Sequence, residues 1–489
     1  MKKATARRLW LPLLLILFGV WVREPLRWQE RPFHVDEALY ATFARQISHE
    51  NDPLLIGSPV DKPPLTFYLT AFSFKLFTEP SAWAARIPNF LASILSLAVL
   101  WVLASHLYRD RAVAALATLF LALSPSDAAL AGTAFTDPQA SWLVLLACLA
   151  AAKHRWGWAG LCAGLAFACK QSAAQFWPLI VVVGSVEIRQ VLSLPHALLR
   201  FTLPLLIVVG LIFMWGAARG SDASDWWALG AANNAPDRLI RSDEVAPRLA
   251  AWLRFTAENT GSPIGLIGLG GIGSAALAAR LVRTPRRRST TVDVLLATYI
   301  LGYLLIYWLV AFNVYNRYLH TLVPLIGLLI ARGMVGLARL LPAEHRSRTL
   351  LLLAGALIVV IGPTALSARE GDTPLRDEYE PYTGIADVAT YLNTLPPGTI
   401  VYDHWLGWQL GWYTGQHRPR DMWLRLTYYP TPEALAADAR RQSDLQPRYF
   451  VAPDWVWTGP WLVALNEAGF APQPDAQFGH FTVYRLTPP

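Results

Sequence analysis

Asp36 and Tyr40 stand four residues apart in HVDEALYATFARQI, so on a helix they share one face. A carboxylate there can take a proton from a hydroxyl; spacing alone favours a plain helix cap. Next comes Asp61-Lys62-Pro63-Pro64. Its prolines stiffen the entry into the following segment, as they would in an ordinary turn. Asp137 in FTDPQA precedes an apolar run, where a carboxylate suits a helix start. Lys170 closes the apolar run GLCAGLAFACK, as a snorkelling lysine would, and Arg317 in NVYNRYLHTLVP raises the same question. Two carboxylates (Asp36, Asp137) and three cations (Lys62, Lys170, Arg317) thus map to one membrane face. Carboxylates deprotonate an acceptor or bind a metal, and cations hold a phosphate through charge-assisted hydrogen bonds. An acid–base site facing a phosphate site at a membrane surface points to a lipid-phosphate substrate.

That placement rests on the spans. Of the 489 residues 54% are hydrophobic and only 16% charged, against about 25% charged in ordinary soluble domains. Apolar blocks fall near residues 9–23, 84–105, 112–125, 138–152, 156–169, 174–186, 200–218, 260–280, 292–312, 318–338 and 349–366. They predict an α-helical polytopic membrane protein with about eleven spans, some short of the roughly 20 residues a crossing needs. With the N-terminus inside, Lys2, Lys3, Arg7, Arg8, Arg109, Arg111, Lys153, Arg155, Arg189, Arg280, Arg283, Arg286, Arg287, Arg288, Arg346 and Arg348 fall in inner loops. This is the excess expected of cytoplasmic loops. Asp36, Glu37, Asp52, Asp61, Asp127, Asp137, Asp222, Asp225, Asp237, Asp243 and Glu244 fall outside. An odd number of spans puts the C-terminal part outside too. The basic, apolar N-terminus lacks a small-residue cleavage site and reads as an uncleaved first span.

Two outer loops are long, about 24–81 and 220–261. HVDEALYATFARQI and EVAPRLAAWLRF within them read as amphipathic helices, the first lying on the membrane surface. Beyond residue 368 the period changes. IADVATYLNTL, TPEALAADARRQ and WLVALNEAGF read as helices, and TIVYDH, RYFVAP and HFTVYRL as strands, which predicts a small soluble α/β domain over 369–489. Its tryptophans, Trp405, Trp408, Trp412, Trp423, Trp455, Trp457 and Trp461, suit a hydrophobic core for the most part; aromatic platforms also suit sugar or lipid-interface contacts. Cys148, Cys162 and Cys169 all lie in apolar stretches, which excludes a disulfide scaffold in the outer domain. No basic patch interleaved with aromatics argues for nucleic-acid binding.

The motifs DEALYATFARQI (36–47), PVDKPPLTFYL (59–69), FTDPQA, GLAFACK and RYLHTLVPLIGLLIA occur in this order. In that order they resemble the GT-C class of membrane glycosyltransferases, above all the bacterial lipid A aminoarabinose transferases and the dolichyl-phosphate-mannose protein mannosyltransferases. The resemblance covers roughly the first 340 residues. It implies a GT-C fold over 1–368 and a polyprenyl-phosphate-linked sugar as donor. It further implies Asp36 as the first-loop catalytic aspartate and Asp137 as the acid of the second outer loop. Lys62 and Lys170 become phosphate-contacting lysines, Tyr40 the tyrosine of the D-E-x-x-Y motif, and Glu37 and Asp61 supporting acids. Many relatives have arginine immediately before that tyrosine. Here Leu39 stands there, so Arg45 or Arg317 is expected to supply the missing phosphate contact.

The mechanism expected on this basis is a single inverting displacement at the outer face. Asp36 acts as base toward an acceptor hydroxyl of lipid, glycan or protein. Lys62, Lys170 and Arg317 stabilise the departing phosphate. No cofactor is assigned; a divalent metal, Mg or Mn, is left open, with Asp36 and Asp137 the pair that would share it. The absence of a D-x-D motif argues against a nucleotide-sugar donor. The competing classes are a transporter or lipid flippase, which would carry its charges at mid-membrane and show repeated halves, and a non-catalytic scaffold.

Overall fold

A computed structural model describes residues 2–28, 31–186, 194–220, 222, 224–236, 238–415, 424–442 and 447–487. Arg189, Asp237 and Trp423 from the preceding reading lie outside the described residues. Each apolar block becomes helical: α1 (Lys2–Arg23), α4 (Ala82–Tyr108), α5 (Arg111–Leu123), α7 (Asp137–Ala152), α8 (Trp156–Cys169), α9 (Trp177–Ser185), α10 (Leu194–Ala218), α13 (Pro263–Arg283), α14 (Arg288–Leu309), α15 (Val323–Ala338) and α16 (Ala343–Arg369). Between them lie α2 (Val35–His49), α3 (Leu65–Leu76), α6 (Pro125–Ala131), α11 (Asp225–Asn234) and α12 (Val245–Asn259). Length decides which can cross. Among the described residues six helices are long and apolar enough (α4, α10, α13, α14, α15 with the 3₁₀ turn before it, and α16), or seven if α5 and α6, bent by 60°, form one span. At 1.5 Å per residue, α7 and α8 fall well short of the hydrocarbon thickness. The expectation of about eleven full spans is therefore matched in helices but not in lengths.

The predicted inner turns do gather. His106 meets the Ala152 carbonyl at 2.8 Å, and Arg339 pairs with Asp110 at 2.5 Å, so the α4–α5 and α7–α8 turns and the end of α15 share one end of the bundle. Just inside that end, fully buried Asp293 is gripped by Arg280 at 2.9 Å and Arg332 at 3.3 Å. At the opposite end Arg23, wholly buried, donates to Asp127 at 2.5 Å, to Ser93 at 2.7 Å and to the carbonyls of Leu121 and Ala122. Those carbonyls sit where the α5–α6 bend interrupts helical hydrogen bonding. Arg23 thereby ties α1 to α4 and to the bend.

The C-terminal part adds α17 (Arg376–Tyr379), α18 (Ile385–Leu392), β1 (Ile400–Asp403), α19 (Gly407–Gly415), β2 (Arg425–Tyr428), α20 (Pro432–Arg441), β3 (Arg448–Pro453), α21 (Gly459–Glu467), β4 (Ala471–Phe478) and β5 (Phe481–Thr487). The sheet order is β2-β1-β3-β5-β4, with β1 parallel to both β2 and β3 and the β3–β5–β4 edge antiparallel. Ile400, Tyr402 and Phe450 face α20 and α21; Val401 and Val451 face α18 and α19. The predicted α/β alternation is present. β2 and β4 were not read from sequence. β4 is an edge strand carrying Pro472 and Pro474, which an edge tolerates because no neighbour needs their missing donors.

α2 departs from expectation. It does not lie open on one side: residues 37, 38 and 40–45 are buried between the membrane helices and the outer domain. Trp412 of α19 packs between Phe33 at 5.2 Å and Phe74 at 5.9 Å, and Leu375 and Tyr379 join Tyr40, Phe43 and Phe67 in one cluster. Truncating Asp293 to Ala is expected to destabilise the protein by about 3–5 kcal/mol, since two buried guanidiniums lose their partner. A drop in unfolding temperature in detergent checks this; an unchanged value refutes it.

Candidate active site

α2 begins on a cap that leaves Asp36 unused. His34 Nδ1 accepts from the Asp36 backbone N–H at 3.1 Å, and Glu37 accepts from the His34 N–H at 3.1 Å. The capping reading of Asp36 is thereby corrected: His34 is the cap. Glu37, fully buried, also accepts from the Ala134 N–H at 2.7 Å, which fixes α2 against the turn before α7. The Asp36 carboxylate points the other way and pairs with Arg317 at 2.8 Å, retaining 29% exposure. Burial pushes its pKa up, but Arg317, His34 and Lys62 outweigh that and hold it down at about 2. Asp36 is a firm anion at any physiological pH.

Two further pairs adjoin it. Asp137, in the first turn of α7, meets Lys170 at 2.5 Å; Lys170 caps the C-terminus of α8 and lies 5.1 Å from the ring centre of Tyr318. Burial lowers the Lys170 pKa, opposed by Asp137. Asp61 meets Lys62 at 2.6 Å and accepts from Asn233 of α11 at 3.3 Å. Tyr40 is buried 5.5 Å from Phe67, and burial with Asp36, Asp61 and Asp137 nearby keeps its phenol protonated. One cavity of about 290 Å³ is lined by both Lys62 and Lys170, and its wall continues through Tyr318, Tyr307, Phe312 and Trp227. Lys170 and Tyr318 also line the small cleft that holds Asp137 and Arg317. An apolar aromatic groove therefore opens onto cations at one end and onto acids just beyond.

Asp36, Glu37, Tyr40, Asp61, Lys62, Asp137, Lys170 and Arg317 are thus brought together. Arg45 is not. Nine residues beyond Asp36 it emerges on the opposite side of α2, where it pairs with Glu50 at 3.0 Å and donates to the carbonyls of Gly411 and Trp412 at 3.3 Å. It anchors the C-terminal domain, away from the cations that line the groove. Two site residues went unread: His34, which the cap motif H-x-x-E would have flagged, and Glu378 of α17. Burial raises the Glu378 pKa, with Arg317 opposing and Asp36 nearby. Nothing in its charged surroundings, RDEYE, sets it apart. Among the described residues no three acids, histidines or cysteines converge on a metal position. Asp36 and Asp137 each already face a cation, so this donor set does not fit Mg or Mn.

Residues 61–215 match the family model of the dolichyl-phosphate-mannose-protein mannosyltransferases. The structure superposes on ArnT from Cupriavidus metallidurans bound to undecaprenyl phosphate, with a TM-score of 0.64, 16% identity, and 99% and 98% of the two chains covered. The oligosaccharyltransferase AglB from Archaeoglobus fulgidus, with an inhibitory peptide and a dolichol-phosphate, follows at 0.53 and 13%, covering 96% and 74%. The same archaeal enzyme in complex with zinc and sulfate gives 0.56 and 13%, covering 98% and 73%. The chain has the GT-C fold. The resemblance read from the motifs is borne out at that level. No curated protein sequence matches the chain.

A test of the groove's construction follows from Gly230. A Cβ there would stand 2.4 Å from the Asp61 carbonyl, so Gly230→Ala must push the Asp61–Lys62 turn off α11. For the lipid-phosphate donor proposed below, affinity is expected to fall about tenfold, the scale of one weakened charge-assisted contact. Equal affinity in the variant would remove Lys62 from that proposed site.

Proposed function

We propose that this protein transfers a sugar from a polyprenyl-phosphate carrier to an acceptor hydroxyl at the outer face of the membrane. The observation that carries the reading is the groove whose aromatic wall ends on Lys62 and Lys170, beside the Asp36–Arg317 pair. Such a groove suits an isoprenoid chain along its apolar wall and a phosphate at its cationic end. The GT-C fold and neighbours with undecaprenyl phosphate or dolichol-phosphate bound support the same donor class.

In this mechanism the acceptor oxygen attacks the anomeric carbon as the bond from that carbon to the phosphate oxygen breaks. The electron pair leaves with the phosphate, where Lys62, Lys170 and Arg317 neutralise it. The proton of the attacking hydroxyl passes to Asp36, and attack opposite the leaving group inverts the centre. A carboxylate held at about 2 is a weak base. It accepts the proton late, once the new bond has made the oxygen strongly acidic. A donor phosphate also competes with Asp36 for Arg317, and each contact it wins makes Asp36 more basic.

With the protein in lipid, a panel of radiolabelled polyprenyl-phosphate sugars and a membrane acceptor extract, at least one donor is expected to release polyprenyl phosphate. Asp36→Asn should lower that rate by about 10²–10⁴-fold. Turnover equal in the two proteins would sink the assignment of Asp36. The pH profile tests the pairing separately. Arg317 lowers the Asp36 pKa, so Arg317→Met must raise it. Activity in this variant should fail on acidification at a pH about one to three units higher than in the native protein. An acid limb that stays in place would show that Asp36 does not titrate in the rate.

A further inference from the structure

The outer domain has a feature that donor binding does not use. β1 and β3 are parallel neighbours, but the chain leaves β1 for α19 on one face of the sheet and β3 for α21 on the other. Their C-terminal ends part at a topological switch point, the position where open α/β sheets form a ligand crevice. One lip is Asp403-His404-Trp405, and the other runs from Asp454 to Trp457. The lips follow paired strands, with Asp403 opposite Val451, and His404 sits edge-on to Trp461 of α21 at 4.9 Å.

The side chains there are not core. Trp405 is 69% exposed, Trp457 82% and Trp455 46%, in a domain that buries Trp412 completely. Trp405 lies 4.8 Å from Tyr428, at the end of β2, and holds φ at 61°, a conformation bulky residues seldom adopt. Buried Asp403 secures that turn by accepting from the Leu406 N–H at 2.8 Å. On the other lip Asp454 pairs with His480 at 2.7 Å, beside Trp455. A chain of ring contacts leads from this lip toward the acid site: Trp455 meets Tyr382 at 5.9 Å, and Tyr382 meets His34, the cap of the helix bearing Asp36, at 5.7 Å.

Flat indoles alternating with a carboxylate and imidazoles match the two sides of a sugar. Its C–H face stacks on an aromatic ring, and its hydroxyl edge needs carboxylate and imidazole partners. An acyl chain would leave Asp454 and His480 without a role. We propose that this switch-point crevice binds a carbohydrate, the glycan part of the acceptor. The acceptor role rests on the transferase reading above; the binding does not.

The test uses the full chain in lipid nanodiscs, titrated with tetrasaccharides of mannose, glucose, galactose and N-acetylglucosamine. Saturation-transfer NMR and tryptophan fluorescence report binding. At least one sugar should bind saturably, about tenfold more weakly after Trp405→Ala or Trp457→Ala, the scale of one stacking contact. Trp405→Tyr should restore most of the loss. Both rings are exposed, so unfolding temperatures should stay unchanged. Absence of binding by all four sugars, or binding indifferent to both substitutions, overturns the proposal. So does loss of the Trp405 and Trp457 emission to brominated lipid, which would make them membrane anchors. Sugar binding without turnover of any polyprenyl-phosphate donor would instead leave the crevice standing and count against the transferase reading.

Discussion

Three carboxylates and three cations, paired one to one, hold together the end of the bundle that faces the C-terminal domain. Leaving any of the six without its partner would cost several kcal/mol at such burial. Asp36 with Arg317, Asp61 with Lys62 and Asp137 with Lys170 cancel to no net charge. Neutral as a set, they tolerate apolar surroundings. The set also dictates architecture. Asp36–Arg317 joins α2 to the 3₁₀ turn before α15 and Asp137–Lys170 joins the start of α7 to the end of α8, while Asp61 and Lys62 share the turn before α3. A phosphate entering the set adds an anion and changes which partner each cation favours, so binding and rearrangement of charge are one event.

Much of this was legible in the sequence because membranes make charge conspicuous. Lys170 and Arg317 end apolar runs on the side where basic residues are rare, and Asp61-Lys62-Pro63-Pro64 announces a stiff turn. The helices follow for the same reason, since long apolar blocks have few other conformations open to them. Illegible features depended on tertiary packing. That His34 rather than Asp36 caps α2 turns on side-chain direction. Arg45 lies in the same motif as Asp36 but two and a half turns along the helix. Glu378 reaches the site only because α17 folds back onto α2. The shortness of several apolar blocks was visible in the sequence, and the structure keeps α7 and α8 short, packed among their neighbours.

Sandwiching α2 joins the two halves of the molecule into a single unit. One of its faces meets the membrane helices through Glu37 and Tyr40, and the other meets α19 through Arg45 and Trp412. The outer domain is therefore held in fixed relation to the acids, and the path between them runs along aromatic rings, from His34 through Tyr382 to Trp455.

Arg23 sets a condition on how the chain is made. It ends the first helix, and its carboxylate partner Asp127 lies 104 residues later. At roughly 5–20 residues per second of synthesis, the guanidinium waits about 5–20 s for that partner. Its long stem lets it stay among the lipid headgroups meanwhile. Only when the α5–α6 bend arrives, with the Leu121 and Ala122 carbonyls and Asp127, can Arg23 dock α1 against it. α1 is thus locked in place only after helices that follow it in the chain, and the bend in α5–α6 is the timer.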